Sequence, residues 1–364
     1  MTTETETKIR SFGVKLKLAQ EFAWHSGTPK AFRALFAERD KSDGQYHRAY
    51  SAEAIRYARL KQLNLEKDPP KRPRSLPPII NCRMAKGGTG KTTVAANVAT
   101  ALAMFGHKVL MIDGDPQSSL TGLFGINWAT ENITHIGELM HRSNSKKPTR
   151  IKDAVRNLYE DGMLDLIASD ITLADADSWL MGVMSRESVF KRLLESDVDF
   201  FSQYDVIMID SAPGTNLLTN NFMFACDKIL AVVWLDGQSL KAMEVLASNV
   251  SELNTAFKDH GFHLDVHIVA NGFDKRYKTC TEALETLAST YPNLLDDNVL
   301  PHYAGFMRQS DLFSEEKSGP VLEREPNSVG ARAIIDLAKS LIKYYDIRLA
   351  GIAETMNLKS RGRA

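Results

Sequence analysis

Residues 85–93 of this 364-residue chain read Ala-Lys-Gly-Gly-Thr-Gly-Lys-Thr-Thr, and those types at that spacing suit one task, the cradling of phosphate oxygens. Gly87, Gly88 and Gly90 let backbone N–H groups turn inward and approach an anion with no side chain in the way. Lys91 is placed to reach β- and γ-phosphates, and Thr92 offers a hydroxyl to Mg²⁺. Thr89 and Thr93 complete the loop and the first turn of a helix-prone stretch, Val94-Ala95-Ala96-Asn97-Val98-Ala99. The N-terminus of that helix adds a positive dipole. Ala85 stands where a glycine usually opens such a loop. A plain strand-to-helix turn also wants glycines, but it has no need of Gly-Lys-Thr at the helix start.

Two further acidic positions follow apolar runs. Val109-Leu110-Met111-Ile112 leads into Asp113-Gly114-Asp115-Pro116-Gln117, and Val206-Ile207-Met208-Ile209 leads into Asp210-Ser211-Ala212-Pro213-Gly214. In an open α/β sheet the C-terminal strand ends face the ligand, and Mg²⁺ keeps several waters and so takes few carboxylates. Asp113 and Asp210 are therefore the metal-side candidates beside Thr92, acting mostly through water. Taken singly, each acid also suits a helix cap or a loop.

The elements that must position these residues are legible from periodicity. Short apolar runs at 79–84, 109–112, 164–168, 206–209, 229–235 and 266–270 alternate with helical stretches at 92–105, 239–257, 281–291 and 330–345. This predicts an α/β fold of the P-loop NTPase type, a mostly parallel sheet with helices on both faces, over residues 79–345. A small all-helical N-terminal domain is expected over 1–68, with helices at 14–23, 30–39 and 51–63 and a Ser26-Gly27-Thr28-Pro29 turn between the first two. Helix, turn, helix fits DNA reading and fits dimerisation equally. Five prolines with Lys71, Arg72 and Arg74 make 69–78 a basic linker, and 346–364 forms a basic tail.

Composition narrows the class. Hydrophobic residues make up 43% and charged residues 25%, which suits a folded globular chain. No apolar run reaches the roughly 18 residues that cross a bilayer, and the start Met1-Thr2-Thr3-Glu4-Thr5-Glu6 is unlike a signal peptide, so a cytoplasmic protein is expected. Cys82, Cys226 and Cys280 are far apart and read as reduced thiols. Net charge is zero, but residues 1–75 hold 16 Lys and Arg against 9 Asp and Glu, leaving 29 against 36 for the remainder. A basic front on an acidic body suits an attached nucleic-acid-binding region.

Lys86-Gly87-Gly88-Thr89-Gly90-Lys91-Thr92 resembles the deviant phosphate-binding box of the ParA/MinD ATPases, marked by a second lysine at the loop's start. Asp113-Gly114-Asp115-Pro116-Gln117 resembles the acidic element of the ParA branch, Leu164-Asp165-Leu166-Ile167-Ala168-Ser169 its third strand, and Asp210-Ser211-Ala212-Pro213 its second acidic box and switch. The segment 301–321 is similar to the one that packs near adenine and carries a basic residue, here Arg308. The resemblance covers about residues 78–343. It implies ATP and Mg²⁺ as cofactors, nucleotide contacts that include Asn271 and Pro301, and a homodimer with ATP sandwiched between subunits. By position Lys86 would reach the partner's phosphates, and Asp115 would orient the attacking water. The implied activity is slow ATP hydrolysis that times dimer dissociation.

The front region is similar in layout to the larger plasmid partition ATPases, which carry an N-terminal DNA-binding segment and repress their own operon. The implied function is DNA segregation on non-specific double-stranded DNA in the nucleoid, with a ParB-type centromere-binding partner that stimulates release and a possible role at the chain's own operator. Arg308, Lys339, Lys343 and Arg348 are candidate DNA contacts. The alternative is a MinD-like membrane-cycling ATPase, for which the cue is an apolar stripe of Tyr345, Leu349, Ile352 and Met356 beside Arg348 and Lys359, interrupted by Gly351. Membrane binding is the less expected of the two. Electron-transferring iron proteins share the loop, but they need paired cluster-ligating cysteines.

Overall fold

A computed structural model describes residues 9–37, 49–66, 74–148, 150–226, 228–308 and 318–352. The first half of the expected linker, the end of the second expected helix, part of segment 301–321, and Met356 and Lys359 lie outside the described residues. Seven strands form one sheet in the order β3-β4-β2-β5-β1-β6-β7: β1 Ile79–Arg83, β2 Val109–Gly114, β3 Val155–Asn157, β4 Leu164–Ile167, β5 Val206–Ser211, β6 Lys228–Trp234 and β7 Asp265–Asn271. All neighbours pair parallel except β3 with β4. The six parallel strands are the six apolar runs of the sequence; β3, at the edge and carrying Arg156 and Asn157, has no such run.

The six parallel strands are buried on both faces because helices cover both. The longer ones are α1 Leu16–Phe22, α2 Pro29–Ala34, α3 Ala52–Gln62, α4 Lys91–Met104, α5 Ile136–Asn144, α6 Val189–Ser196, α7 Leu217–Ala225, α8 Gly237–Ala256, α9 Lys278–Thr290 and α10 Val329–Tyr344. Alternating residues of each strand serve two cores. Ile80 and Cys82 pack with α4 and α10, whereas Ile79 packs with α5, α6, α7 and α8. Chain order runs β1, then β2 and β5 on one side, then β6 and β7 on the other, so the C-terminal end of β1 is the switch point where an α/β sheet opens a crevice.

The expected N-terminal helices are present, and they do not stand apart as a separately cored unit. Ala19, Phe22, Phe32, Phe36, Ile55 and Ala58 join the same buried cluster as Ala101, Leu102 and Phe105 of the α4 end and Leu341 of α10. Phe22 meets the Phe105 ring edge-on at 4.8 Å, and Trp24 stacks on it at 5.1 Å. Arg59 donates to the Phe105 carbonyl, and Arg56 donates to the Gly106 carbonyl at 2.6 Å and to Asp205 at 2.7 Å. The reason is compositional. α4 is so rich in alanine and valine that its outward face is as apolar as its sheet face, and the front helices remove that face from water. Of the front helices, α2 leaves Lys30, Ala31, Arg33 and Ala34 exposed.

The tail is also docked. α10 stops at Tyr344, and positive φ at Asp346 (49°) and Ala350 (51°) prevents the helix from continuing. Tyr345 and Leu349, spaced as a helical stripe, are instead buried from a non-helical segment whose Ala350 N–H donates to Asp205 at 2.9 Å. No helix among the described residues is long and apolar enough to cross a membrane.

Glu21 pins α1 to α10. Its carboxylate accepts from Arg332 at 2.7 Å and from Lys339. Burial pushes the carboxyl up, but hydrogen bonds from both cations outweigh it and hold it at about 2. A depressed acid contributes stability that is present above its unfolded value near 4 and is lost as pH falls through 2. Glu21→Gln is therefore expected to destabilise the protein by roughly 0.5–1 kcal/mol at pH 7, with screening of this half-exposed group allowed for, and to match wild type near pH 2. Denaturant melts at both pH values measure this; an equal deficit at both would refute the ion pair as the pin.

Candidate functional site

The loop between β1 and α4 is shaped by its glycines. Gly88 (φ +75°) and Gly90 (φ +89°) occupy the left-handed region, and a Cβ at Gly87 or Gly88 would meet nothing within 4 Å, so the backbone faces open space there. Gly90 differs, because a Cβ on it would strike the Asn271 amide. Asn271, at the end of β7, donates from Nδ2 to the Thr89 carbonyl at 2.9 Å and so braces the loop from beneath. Pro301 sits beside β7 through a bridge to Phe273, with the Trp234 and His302 rings edge to face at 5.8 Å next to it.

Lys91 opens α4, is 7% exposed, and donates to the Lys86 carbonyl at 3.2 Å, folding across the loop it serves. Burial pushes its pKa down while Asp210 and Asp115 hold it up. Thr92 and Thr93 follow in the first helical turn, half-buried. Register then sets the acids. Cys82 pairs with Asp210 and Asp210 with Asp113, so three adjacent strand ends place the loop and both carboxylates side by side.

The two acids are held differently. Asp113 is fully satisfied: Oδ2 accepts from the Thr121 amide at 2.9 Å and the Thr121 hydroxyl at 2.7 Å, and Oδ1 accepts from the Asp115 amide at 3.2 Å. Burial pushes its carboxyl up to about 6 despite those bonds. Asp210 is as deeply buried, and among the described residues neither oxygen has a hydrogen-bond partner of good geometry. Burial first and the Asp113 charge second push it up to about 8, against the weaker pull of Thr92 and Lys91. An orphaned carboxylate beside a threonine hydroxyl and a lysine is an arrangement a divalent cation would complete. Of the metal-side pair, Asp210 fits a cation directly and Asp113 fits a supporting role through Thr121.

Asp115 is half-buried beyond β2, with Oδ1 accepting from the Gln117 amide at 2.9 Å. Its own carbonyl is held by the Ser169 hydroxyl at 2.9 Å, which ties the end of β4 to the site. Lys86 points away from the cradle. Its ammonium donates to both Asp236 oxygens at 2.9 and 3.1 Å and to Ser239 at 3.3 Å. Asp236 is the N-cap of α8, accepting from the Ser239 amide at 2.7 Å. Asp236-Gly237-Gln238-Ser239 is legible in the sequence as a helix cap; nothing in it marks the cap as the lysine's partner.

Three of the four basic candidates are paired with acids. Arg308 pairs with Glu325 at 3.3 Å, Arg348 with Asp346 at 2.7 Å, and Lys339 with Glu21 and with Asp336. Lys343 is exposed on α10. The cysteines are buried singly, and the described residues hold no group of three His, Cys, Asp or Glu placed to ligate a metal.

Because Asn271 braces the loop through one hydrogen bond, Asn271→Ala is expected to destabilise the protein by about 1–2 kcal/mol and to weaken nucleotide binding by about tenfold. Titration with a fluorescent ATP analogue alongside thermal melts checks it; unchanged affinity would show that the brace is dispensable.

Comparison with known proteins bears on the family and the fold. A family profile described as an AAA domain matches residues 78–261, half of the chain. The cell division protein PomZ of Myxococcus xanthus is 30% identical over 280 residues, covering 76% of this chain and 81% of that protein. The chromosome partitioning protein ParA of Caulobacter vibrioides is 27% identical over 258 residues, covering 71% and 91%. Among solved structures, cobyrinic acid a,c-diamide synthase from Mycobacterium smegmatis, with bound ATP analog and magnesium, is similar with a TM-score of 0.58 at 21% identity, over 74% of this chain and 96% of that one. That last likeness speaks for the fold alone. A glycine loop at the switch point, an orphaned acid on the next strand, and relatives aligned along most of their length together place the chain in the ParA/MinD family of P-loop ATPases.

Proposed function

We propose that the protein is a DNA-segregation ATPase in which ATP drives dimerisation, the dimer holds non-specific double-stranded DNA in the nucleoid, and a ParB-type partner stimulates slow hydrolysis and release. The observation that carries this reading is the position of Lys86. It stands at the rim of the cradle, on Asp236, and does not close over its own phosphate site, which Lys91 already serves. A lysine so placed is available to a second subunit's phosphates, where its charge would act as an arginine finger does.

The chain's own groups have distinct tasks in this scheme. Loop amides and Lys91 bind the phosphates, Asn271 keeps the loop in shape, and Asp115 orients water. Mg²⁺, held by Thr92 and Asp210 with Asp113 behind them, supplies charge neutralisation when bound. Sharing Lys86 with a partner means exchanging Asp236 for phosphate, so dimerisation costs one ion pair per subunit.

Operator binding would fall to the exposed basic face of α2, with Lys30 and Arg33. For non-specific DNA, Lys343 is the candidate for which no ion pair is seen among the described residues, whereas Arg308, Lys339 and Arg348 would first have to leave acids. Phosphate contacts of this kind predict binding that falls steeply with salt. The membrane-cycling alternative loses its cue within the described tail, which packs on its own domain.

Lys86→Ala is expected to abolish ATP-dependent dimerisation, whereas Asp115→Ala should dimerise, stay on DNA and hydrolyse at least about a hundredfold more slowly, the usual scale for loss of a water-positioning base. Light scattering, DNA co-sedimentation and phosphate release read the three properties. A fully active Asp115→Ala would sink the mechanism, and sedimentation with liposomes but not with DNA would favour the membrane alternative.

A further inference from the structure

Among the described residues the largest fully buried side chain belongs to Arg83, on the strand that leads into the phosphate-binding loop, 1% exposed. Its Nη2 donates to the Gly214 carbonyl at 2.7 Å, while Nε and Nη1 have no hydrogen-bond partner among the described residues. No carboxylate pairs with it among the described residues, and its charge is felt at Lys91. An unpaired buried guanidinium is costly. Here burial pulls its pKa down to about 10, which still leaves it charged at neutral pH. Strand alternation puts Arg83 on the same side as Asn81, whose Oδ1 accepts from the Ser211 hydroxyl. Two polar residues of β1, two apart, therefore grip two points of the chain that leaves β5, Ser211 and Gly214.

That chain segment matters for the site. It begins at Asp210, passes Gly214 at φ +98°, and starts α7 at Leu217, where the Leu218 amide donates to Asp177 at 2.9 Å. Whatever fixes Gly214 fixes the loop that continues from the orphaned carboxylate, and with it the start of α7.

We propose that Arg83 is a positioning residue for ATP hydrolysis: through the Gly214 carbonyl it holds loop 212–216 against the strand that carries the phosphate cradle. This rests on the ATPase reading given above. Gripping a backbone carbonyl, and not a carboxylate, leaves the charge uncancelled beneath a site that receives a polyanion. The cost of the buried guanidinium is thus offset most when nucleotide is present, and loop position is tied to occupancy.

Arg83→Met, which keeps the volume and removes the charge, and Arg83→Lys, which keeps one donor, test it. The methionine variant is expected to melt no lower than wild type and to bind a fluorescent ATP analogue about fivefold more weakly, as loss of a charge beneath the phosphates requires, while its kcat at saturating ATP falls about tenfold, the size of one charge-assisted hydrogen bond. Amide exchange of loop 212–216 in the nucleotide-free protein should rise in the methionine variant, and lysine should recover part of both losses. Unchanged loop exchange with normal turnover would sink the proposal, as would parallel loss of melting temperature, affinity and kcat that lysine does not rescue. A wild-type protein that turns over no ATP would sink the ATPase reading instead, and the loop exchange would still report whether Arg83 holds Gly214.

Discussion

The burial of α4 around its whole circumference is the constraint from which the rest follows. A helix closed on every side can be addressed only at its ends. At the N-terminal end Gly90 turns the chain and the first free amides face the crevice, which is where a phosphate site forms. At the C-terminal end Phe105 carries Phe22, Trp24 and Arg59. Nucleotide chemistry and the front helices are therefore attached to opposite ends of one rigid rod.

Charge placement follows a second rule. Strand register leaves no choice about where Asp113 and Asp210 end, and burial then makes each carboxylate expensive to ionise. Thr121 compensates one of them from within the chain, whereas the other is left for a ligand to complete. The site is thus assembled in shape but unfinished in electrostatics, a state that favours a tightly bound nucleotide with its cation over either alone.

Much of this is legible in the sequence because it is local. Glycine spacing, apolar runs ending in aspartate, and the Ser51 helix start each report on a few neighbouring residues, and the structure places them as the pattern implies, whereas the helix expected over 30–39 starts at Pro29, read as part of the turn, and ends at Ala34. The edge strand β3 is missed because it is three residues long and two of them, Arg156 and Asn157, are polar. Helices α5 and α6 bury clean apolar stripes, Ile136, Leu139 and Met140 in one and Val189, Phe190, Leu193 and Leu194 in the other, but each is only about two turns long, and α7 is apolar on most sides, so none gives a sustained helical period. Long-range pairings leave no local trace. Lys86 with Asp236 spans 150 positions, Glu21 with Lys339 spans 318, and Asn271 with Thr89 spans 182, so the sequence gives no sign that Asn271, read as a nucleotide contact, and Lys339, read as a DNA contact, also brace the fold.

The docking of the front helices has a consequence for how such a chain can change. Excising residues 1–75 would not release an autonomous module. It would strip the cover from Leu102, Phe105 and Leu341, and leave Arg332 and Lys339 without Glu21. The shortened product would expose a sticky apolar strip and be prone to aggregate. Gain or loss of this segment by recombination thus demands simultaneous recolouring of α4 and α10 from apolar to polar, which makes the front part of the chain an inheritance of the whole protein and not a detachable accessory.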